Sequence, residues 1–338
     1  MTNTLPMARR LMIALSGDLT LSATDRQWLQ HPAVGGVILF TRNFADAEQL
    51  RRLTADIRRT AQWRLLIAAD QEGGRVCRFR GDGFSPLPPM LELAALAHDD
   101  EAKIYHAAGL VLAAELLAVG IDLNFAPVLD LASGRSQVIG DRAFGATADL
   151  VVARALPFVA GMKAAGMASC GKHFPGHGYT AADSHTDFAV DTRTEKELAA
   201  DLSVFARTAA TIPALMTAHI AYPECDTAAA TFSSYWLKKV LRERLHFDGL
   251  IIGDDLAMAG ANIGAMATRM QAAMVAGCDV LLVCQPAAVA EALAALSLTD
   301  AAADNPWLSL SPTPDGRVCI GDKEYRQARE TLALADPA

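Results

Sequence analysis

No Cys-x-x-Cys pair occurs in the 338 residues, and the six cysteines (Cys77, Cys170, Cys225, Cys278, Cys284 and Cys319) are scattered. That spacing offers neither a disulfide framework nor a thiolate zinc site; all six read as small structural hydrophobes in a reducing compartment. Aromatics are scarce at 6 % and charged residues make up 20 %, against 52 % hydrophobic residues, so the chain can bury a large core and is not disordered. Positive charge is in deficit. A formal net charge of -8 argues against general binding of nucleic acid or anionic membrane, and Arg51-Arg52 and Arg58-Arg59 read as a solvated helix face.

Long hydrophobic runs are missing as well. Arg9-Arg10 followed by Leu11 to Leu15 begins like a signal peptide, but Ser16, Gly17 and Asp18 stop the run. The longest apolar stretch, Ile104 to Ile121, carries His106 and Glu115 and reads as a buried amphipathic helix, not a membrane span. Cytoplasmic residence is therefore expected. Neither GxGxxG nor GxxxxGK[ST] is present, which removes the usual dinucleotide and P-loop readings.

What is present is alternation. Short apolar runs at Leu11–Leu15, Val37–Phe40, Leu65–Ala69, Ile121–Phe125, Ala168–Gly171, Ala214–Met216, Leu250–Ile252 and Val280–Val283 predict eight strands, most of them separated by helical patterns. Eight such units imply an α/β fold, a single (β/α)8 TIM-type barrel occupying residues 1–338 as one catalytic domain. The Gly/Pro-rich stretch from Gly81 to Pro89 is expected to fold over the barrel mouth, and Ala301 to Ala338 to form a polar tail ending in a helix.

Active sites of such barrels gather at the carboxyl ends of the strands, and here those exits are polar. The third strand runs into Asp70-Gln-Glu-Gly-Gly-Arg75, the fourth into Asn124 and Asp130, the fifth into Lys172-His173, the sixth into Thr217 and His219, and the seventh into Asp254-Asp255. Lys172-His-Phe-Pro-Gly-His-Gly178 is kept from helix by its proline and glycines. Asp183 and His185, two apart, are spaced so that a carboxylate can fix one imidazole tautomer. A bland reading makes these histidines caps of backbone groups. Asp255 suits a helix N-cap before Leu256, leaving Asp254 for chemistry.

Asp70-Gln-Glu-Gly-Gly-Arg-Val-Cys-Arg78, Lys172-His-Phe-Pro-Gly-His-Gly178 with Asp183-Ser-His185, and Gly253-Asp-Asp-Leu-Ala-Met258 together closely resemble the signatures of family three glycoside hydrolases. Within that family they resemble the single-domain bacterial β-N-acetylhexosaminidase branch of peptidoglycan recycling. The resemblance implies Asp254 as nucleophile, His185 as acid/base and Asp183 as the group that orients it. It implies Asp70, Arg78, Arg142, Lys172 and His173 as holders of a terminal sugar. Gly253 and Ala257 stand where the family often has a hydroxyl residue, which touches fine positioning only. Implied too are a small muropeptide or amino-sugar substrate, no cofactor, no metal, no nucleic-acid or membrane partner, and a monomer.

Residue chemistry leaves rivals. An imidazole base does not repel an anionic acceptor as a carboxylate does, so phosphorolysis stays open beside hydrolysis. A barrel metallohydrolase would use His173, His177, His185 and Asp254, but the usual HxH on an early strand is absent. A Schiff base on Lys172 would need apolar company. A carbohydrate-binding barrel without catalysis would not need Asp254, Asp183 and His185 together.

Overall fold

The computed structural model describes residues 7–96, 100–180, 189–296, 304–314 and 317–334. Eight parallel strands close into a barrel: β1 (Leu11–Ala14), β2 (Val34–Leu39), β3 (Leu66–Ala69), β4 (Leu123–Asn124), β5 (Ala168–Phe174), β6 (Ala214–Thr217), β7 (Leu250–Gly253) and β8 (Val280–Val283). Each strand pairs with its neighbours in chain order, and β1 on β8, with Leu11 opposite Leu281, closes the ring. All eight runs read from the sequence are strands of this barrel.

Those runs lack the polar alternation of a half-exposed sheet because both faces are buried. Met12, Ala14, Ile38, Leu66, Ala68, Leu123, Cys170, Met216, Ile252 and Leu282 fill the interior. Leu11, Ile13, Val37, Leu39, Ile67, Leu215, Ile251 and Leu281 point outward into the layer shared with the helices. The tail supplies one more interior residue. Trp307, fully buried, sits with Leu310 in the interior cluster, and Asn305 beside it donates to the carbonyls of Gly35 and Arg64, at the amino ends of β2 and β3. The tail thus closes the bottom of the barrel.

The helices over the outer face include α1 (Ala23–Trp28), α2 (Ala47–Thr60), α3 (Glu101–Ala118), α4 (Ala148–Ala164), α5 (Ala199–Thr208), α6 (Tyr235–Arg244), α7 (Met266–Ala276), α8 (Pro286–Ala294) and α9 (Lys323–Thr331). Helix α3 departs from the amphipathic reading, since Tyr105 and every residue from Ala107 to Leu116 are buried. Its backbone touches that of α4: a Cβ on Gly109 would lie 2.0 Å from the Phe158 carbonyl oxygen, and one on Gly161 equally close to that of His106. Glu115, inside this packed helix, accepts from Ser85 and from Tyr325 of α9 and lies 3.5 Å from the Arg329 guanidinium. Ser85 belongs to the loop expected over the mouth. That loop is instead pinned to α3, with Phe84 against Phe44 and Phe79, and it contributes nothing to the cavity described below. Arg51, Arg52, Arg58 and Arg59 are all exposed, as expected of a solvated face, and Arg58 pairs from there with Asp122 at 2.9 Å. No helix among the described residues is long and apolar enough to cross a membrane.

Candidate active site

A cavity of about 450 Å³ opens at the carboxyl ends of the strands. Asp70, Arg78, Arg142, Lys172, His173 and Asp254 all line it, although they come from four different strand exits. Of the residues assigned from the sequence, Asp183 and His185 lie outside the described residues.

Opposite charges alternate along the cavity wall. Asp70 binds Arg78 at 3.0 Å and the Lys172 ammonium at 2.7 Å; Lys172 reaches on to Glu72 at 2.6 Å; and Glu72 takes both prongs of the Arg142 fork at 2.8 and 2.9 Å. Glu72, Lys172 and Arg142 are buried. Such burial pushes a carboxyl group up, yet Lys172 and Arg78 outweigh it at Asp70, and Arg142 and Lys172 outweigh it at Glu72, so both lie below the ordinary carboxylate range. Burial likewise lowers Lys172, but Asp70 and Glu72 outweigh it and raise the group above an ordinary lysine. A lysine so held stays a cation and is not an amine poised for a Schiff base.

His173 is fixed from behind. Its Nδ1 is 2.7 Å from the buried Asp130 carboxylate, which also accepts the backbone N–H groups of His173 and His177. With Nδ1 engaged, Nε2 is the nitrogen left to meet a ligand. Asp254 follows β7. Its backbone N–H donates to the Thr217 hydroxyl at 3.4 Å, and its Oδ1 accepts from the Asp255 N–H at 2.7 Å. Asp255 caps no helix. Its carboxylate accepts from the N–H groups of Ala257 and Cys284, which ties the ends of β7 and β8 together at a turn.

Glu72 and Asp130 were not assigned to the site from sequence. The signal for Glu72 was electrostatic: Arg78, Lys172 and Arg142 in one buried place demand more than the single carboxylate of Asp70. Arg75 was also passed over; it binds Asp141 and the carbonyls of Gln137 and Val138, and Val138 accepts from Arg142 too, so two arginines hold one stretch of the cavity wall. Among the described residues no group of three His, Cys, Asp or Glu is placed to hold a metal ion.

His177 is buried beside this site, and burial, with His173 next to it, lowers its pKa to about 4. An unfolded chain takes that proton near pH 6.5 while the folded protein resists it, so stability is full above 6.5 and falls as the pH drops toward 4. The effect is of order 3 kcal/mol. Urea unfolding of His177→Asn is expected to show a shallower loss across this window than the parent; an identical slope in both would show that another group carries it.

A sequence model of the glycosyl hydrolase family 3 N-terminal domain matches residues 9–307. The chain belongs to glycosyl hydrolase family 3. This family 3 hydrolase is 45 % identical over 329 residues to the beta-hexosaminidase of Bordetella pertussis, covering 94 % of this chain and 93 % of that one. It is 49 % identical over 311 residues to the beta-hexosaminidase of Alkalilimnicola ehrlichii, covering 90 % and 89 %. NagZ from Neisseria gonorrhoeae, solved in complex with N-trifluoroacetyl-D-glucosamine, matches the fold with a TM-score of 0.86 at 38 % identity, over 97 % of this chain and 98 % of that one. NagZ has also been solved with a zinc ion.

Proposed function

We propose that this family 3 hydrolase is a retaining exo-β-N-acetylglucosaminidase that removes terminal β-linked N-acetylglucosamine, its natural substrates being N-acetylglucosaminyl-1,6-anhydro-N-acetylmuramic acid and its peptides in peptidoglycan recycling. The observation that carries the reading is the meeting of Asp70, Lys172 and Asp254 in one cavity of a size usual for small-molecule sites. The likeness to a NagZ that holds an N-acylglucosamine supports the choice of sugar.

In this reading Asp70, Arg78 and Lys172 meet the hydroxyls of the terminal sugar, with the Asp70 carboxylate accepting and the two cations donating. His173 presents Nε2 to the same sugar, and Arg142 acts beside it. Asp254 attacks the anomeric carbon as His185, protonated and held by Asp183, gives its proton to the departing oxygen. That step leaves a glycosyl ester on Asp254. The neutral imidazole then takes a proton from water, which attacks the same carbon and frees the carboxylate. Two inversions give retention.

An NMR time course is expected to show the β anomer of N-acetylglucosamine first. Initial α product would overturn the double displacement. Run in phosphate buffer, the same spectra tell water from phosphate as acceptor, since phosphorolysis would give the sugar 1-phosphate. Turnover is expected to survive exhaustive chelation.

A further inference from the structure

His219 stands just past the end of β6 and is fully buried. It is not one of the side chains that line the cavity, so contact with a sugar held there does not account for it. Its ring stacks on Phe232, with centroids 5.8 Å apart and 24° between the planes, and its Nε2 is 3.0 Å from the carbonyl oxygen of Asp255. A carbonyl has no proton to give, so Nε2 carries the hydrogen and donates.

That carbonyl belongs to the turn that follows Asp254. It also accepts the Met258 N–H at 3.1 Å, so one bond closes the turn and the other ties the turn to the end of β6. From the opposite side β8 holds it: the Leu256 N–H donates to the Leu282 carbonyl at 3.0 Å, and the Asp255 carboxylate accepts from the Cys284 N–H at 2.9 Å. Between these anchors the Asp255 N–H donates to Oδ1 of Asp254 at 2.7 Å. A residue pinned at both its carbonyl and its carboxylate aims its N–H in one direction, here at the Asp254 carboxylate. An apolar ring of similar size would fill the place of His219 at a lower cost of desolvation. What the imidazole adds is a donor to the turn that orients Asp254.

We propose that His219 is a positioning residue for the attack on the anomeric carbon: through the Asp255 carbonyl it fixes the turn whose N–H orients the Asp254 carboxylate. The proposal rests on the assignment of Asp254 as nucleophile. Its effect falls on kcat and not on sugar affinity, because Asp70 and Lys172, to which sugar binding is assigned, stand at the exits of β3 and β5.

The test measures turnover of a nitrophenyl β-N-acetylglucosaminide and its inhibition by free N-acetylglucosamine. His219→Leu, which keeps the bulk and removes the donor, is expected to lower kcat by roughly 10- to 100-fold, the scale of misplacing a reacting group by about an ångström, and to change the inhibition constant by no more than about twofold. His219→Gln, whose amide N–H reaches close to the place of Nε2, is expected to recover most of the loss. A double-mutant cycle supplies the readout that a merely structural role would not move. With Asp254→Asn already present, His219→Leu is expected to lower the residual rate by no more than about twofold, because the carboxylate it positions is gone. Loss there by the same factor as in the parent overturns the proposal, as do equal losses in His219→Leu and His219→Gln. If His219→Leu does not fold in melting curves, His219→Asn, an amide too short to reach the carbonyl, takes its place in the comparison. An unimpaired His219→Leu beside an inactive Asp254→Asn sinks the proposal and leaves the nucleophile standing. Should Asp254→Asn keep a tenth of the activity, the nucleophile assignment falls and the proposal with it.

Discussion

Asp254→Asn is expected to lower turnover by roughly 10⁴-fold or more, the scale of losing a nucleophile, while inhibition by free N-acetylglucosamine changes little. Asparagine keeps the shape of the side chain and its Oδ1, so the hydrogen bond from the Asp255 N–H survives. The main chain at this position is held independently through Thr217, itself 2.7 Å from Thr231, so the end of β7 stays in place. What disappears, on the proposed mechanism, is the carboxylate that attacks. Sugar binding is there assigned to Asp70 and Lys172, which the substitution does not touch. Steady-state kinetics and a competition curve with the free sugar check both halves. A variant retaining a tenth of the activity would mean that the substrate's own acetamido oxygen attacks, with Asp254 a bystander.

Lys172→Met has the largest expected effect on stability. The ammonium, 3 % exposed, stands between the carboxylates of Asp70 and Glu72, and methionine would leave the buried Glu72 and the half-buried Asp70 sharing fewer cations. Breaking a buried pair by removing one partner costs about 3–5 kcal/mol. Without the lysine, Arg78 and Arg142 still hold the two carboxyls down, but burial is opposed by less positive charge, so both take up protons more readily than in the parent and the deficit is expected to shrink as the pH falls toward the carboxylate range. Asp70→Ala is a sharp contrast, because Lys172 keeps Glu72 and Glu72 keeps Arg142; that variant is expected to lose sugar affinity and remain folded. Urea unfolding of the two variants at pH 7 and pH 5 separates them. A cost below about 1 kcal/mol for Lys172→Met would mean that the chain of charges is screened by water.

The sequence showed the strands because each is a short apolar run with a polar exit, a pattern that needs no knowledge of neighbours. Asp70, Lys172 and Asp254 were legible for the same reason: each stands at or just past the end of such a run. Glu72 was not, since its partner Arg142 is seventy positions away and only closure of the barrel brings them together. The depth of α3 was hidden for a related reason. Glu115 in the sequence argued for a wet face, and the groups that satisfy it lie in the loop after β3 and in α9 near the far end of the chain. Burial around Glu115 raises its carboxyl above the usual range despite those partners, a cost no local pattern announces. The tail was read as polar, which missed Trp307 as an interior residue.

That tryptophan decides how traffic runs. With Trp307 and Leu310 filling the lower barrel, nothing can pass through the barrel from end to end, and the cavity is approached from the carboxyl ends of the strands. On the proposed reading, substrate enters and product leaves on that one side of the molecule, so the released sugar competes with the next substrate for the same cavity, and the tail, far from the chemistry, is part of what seals the other side.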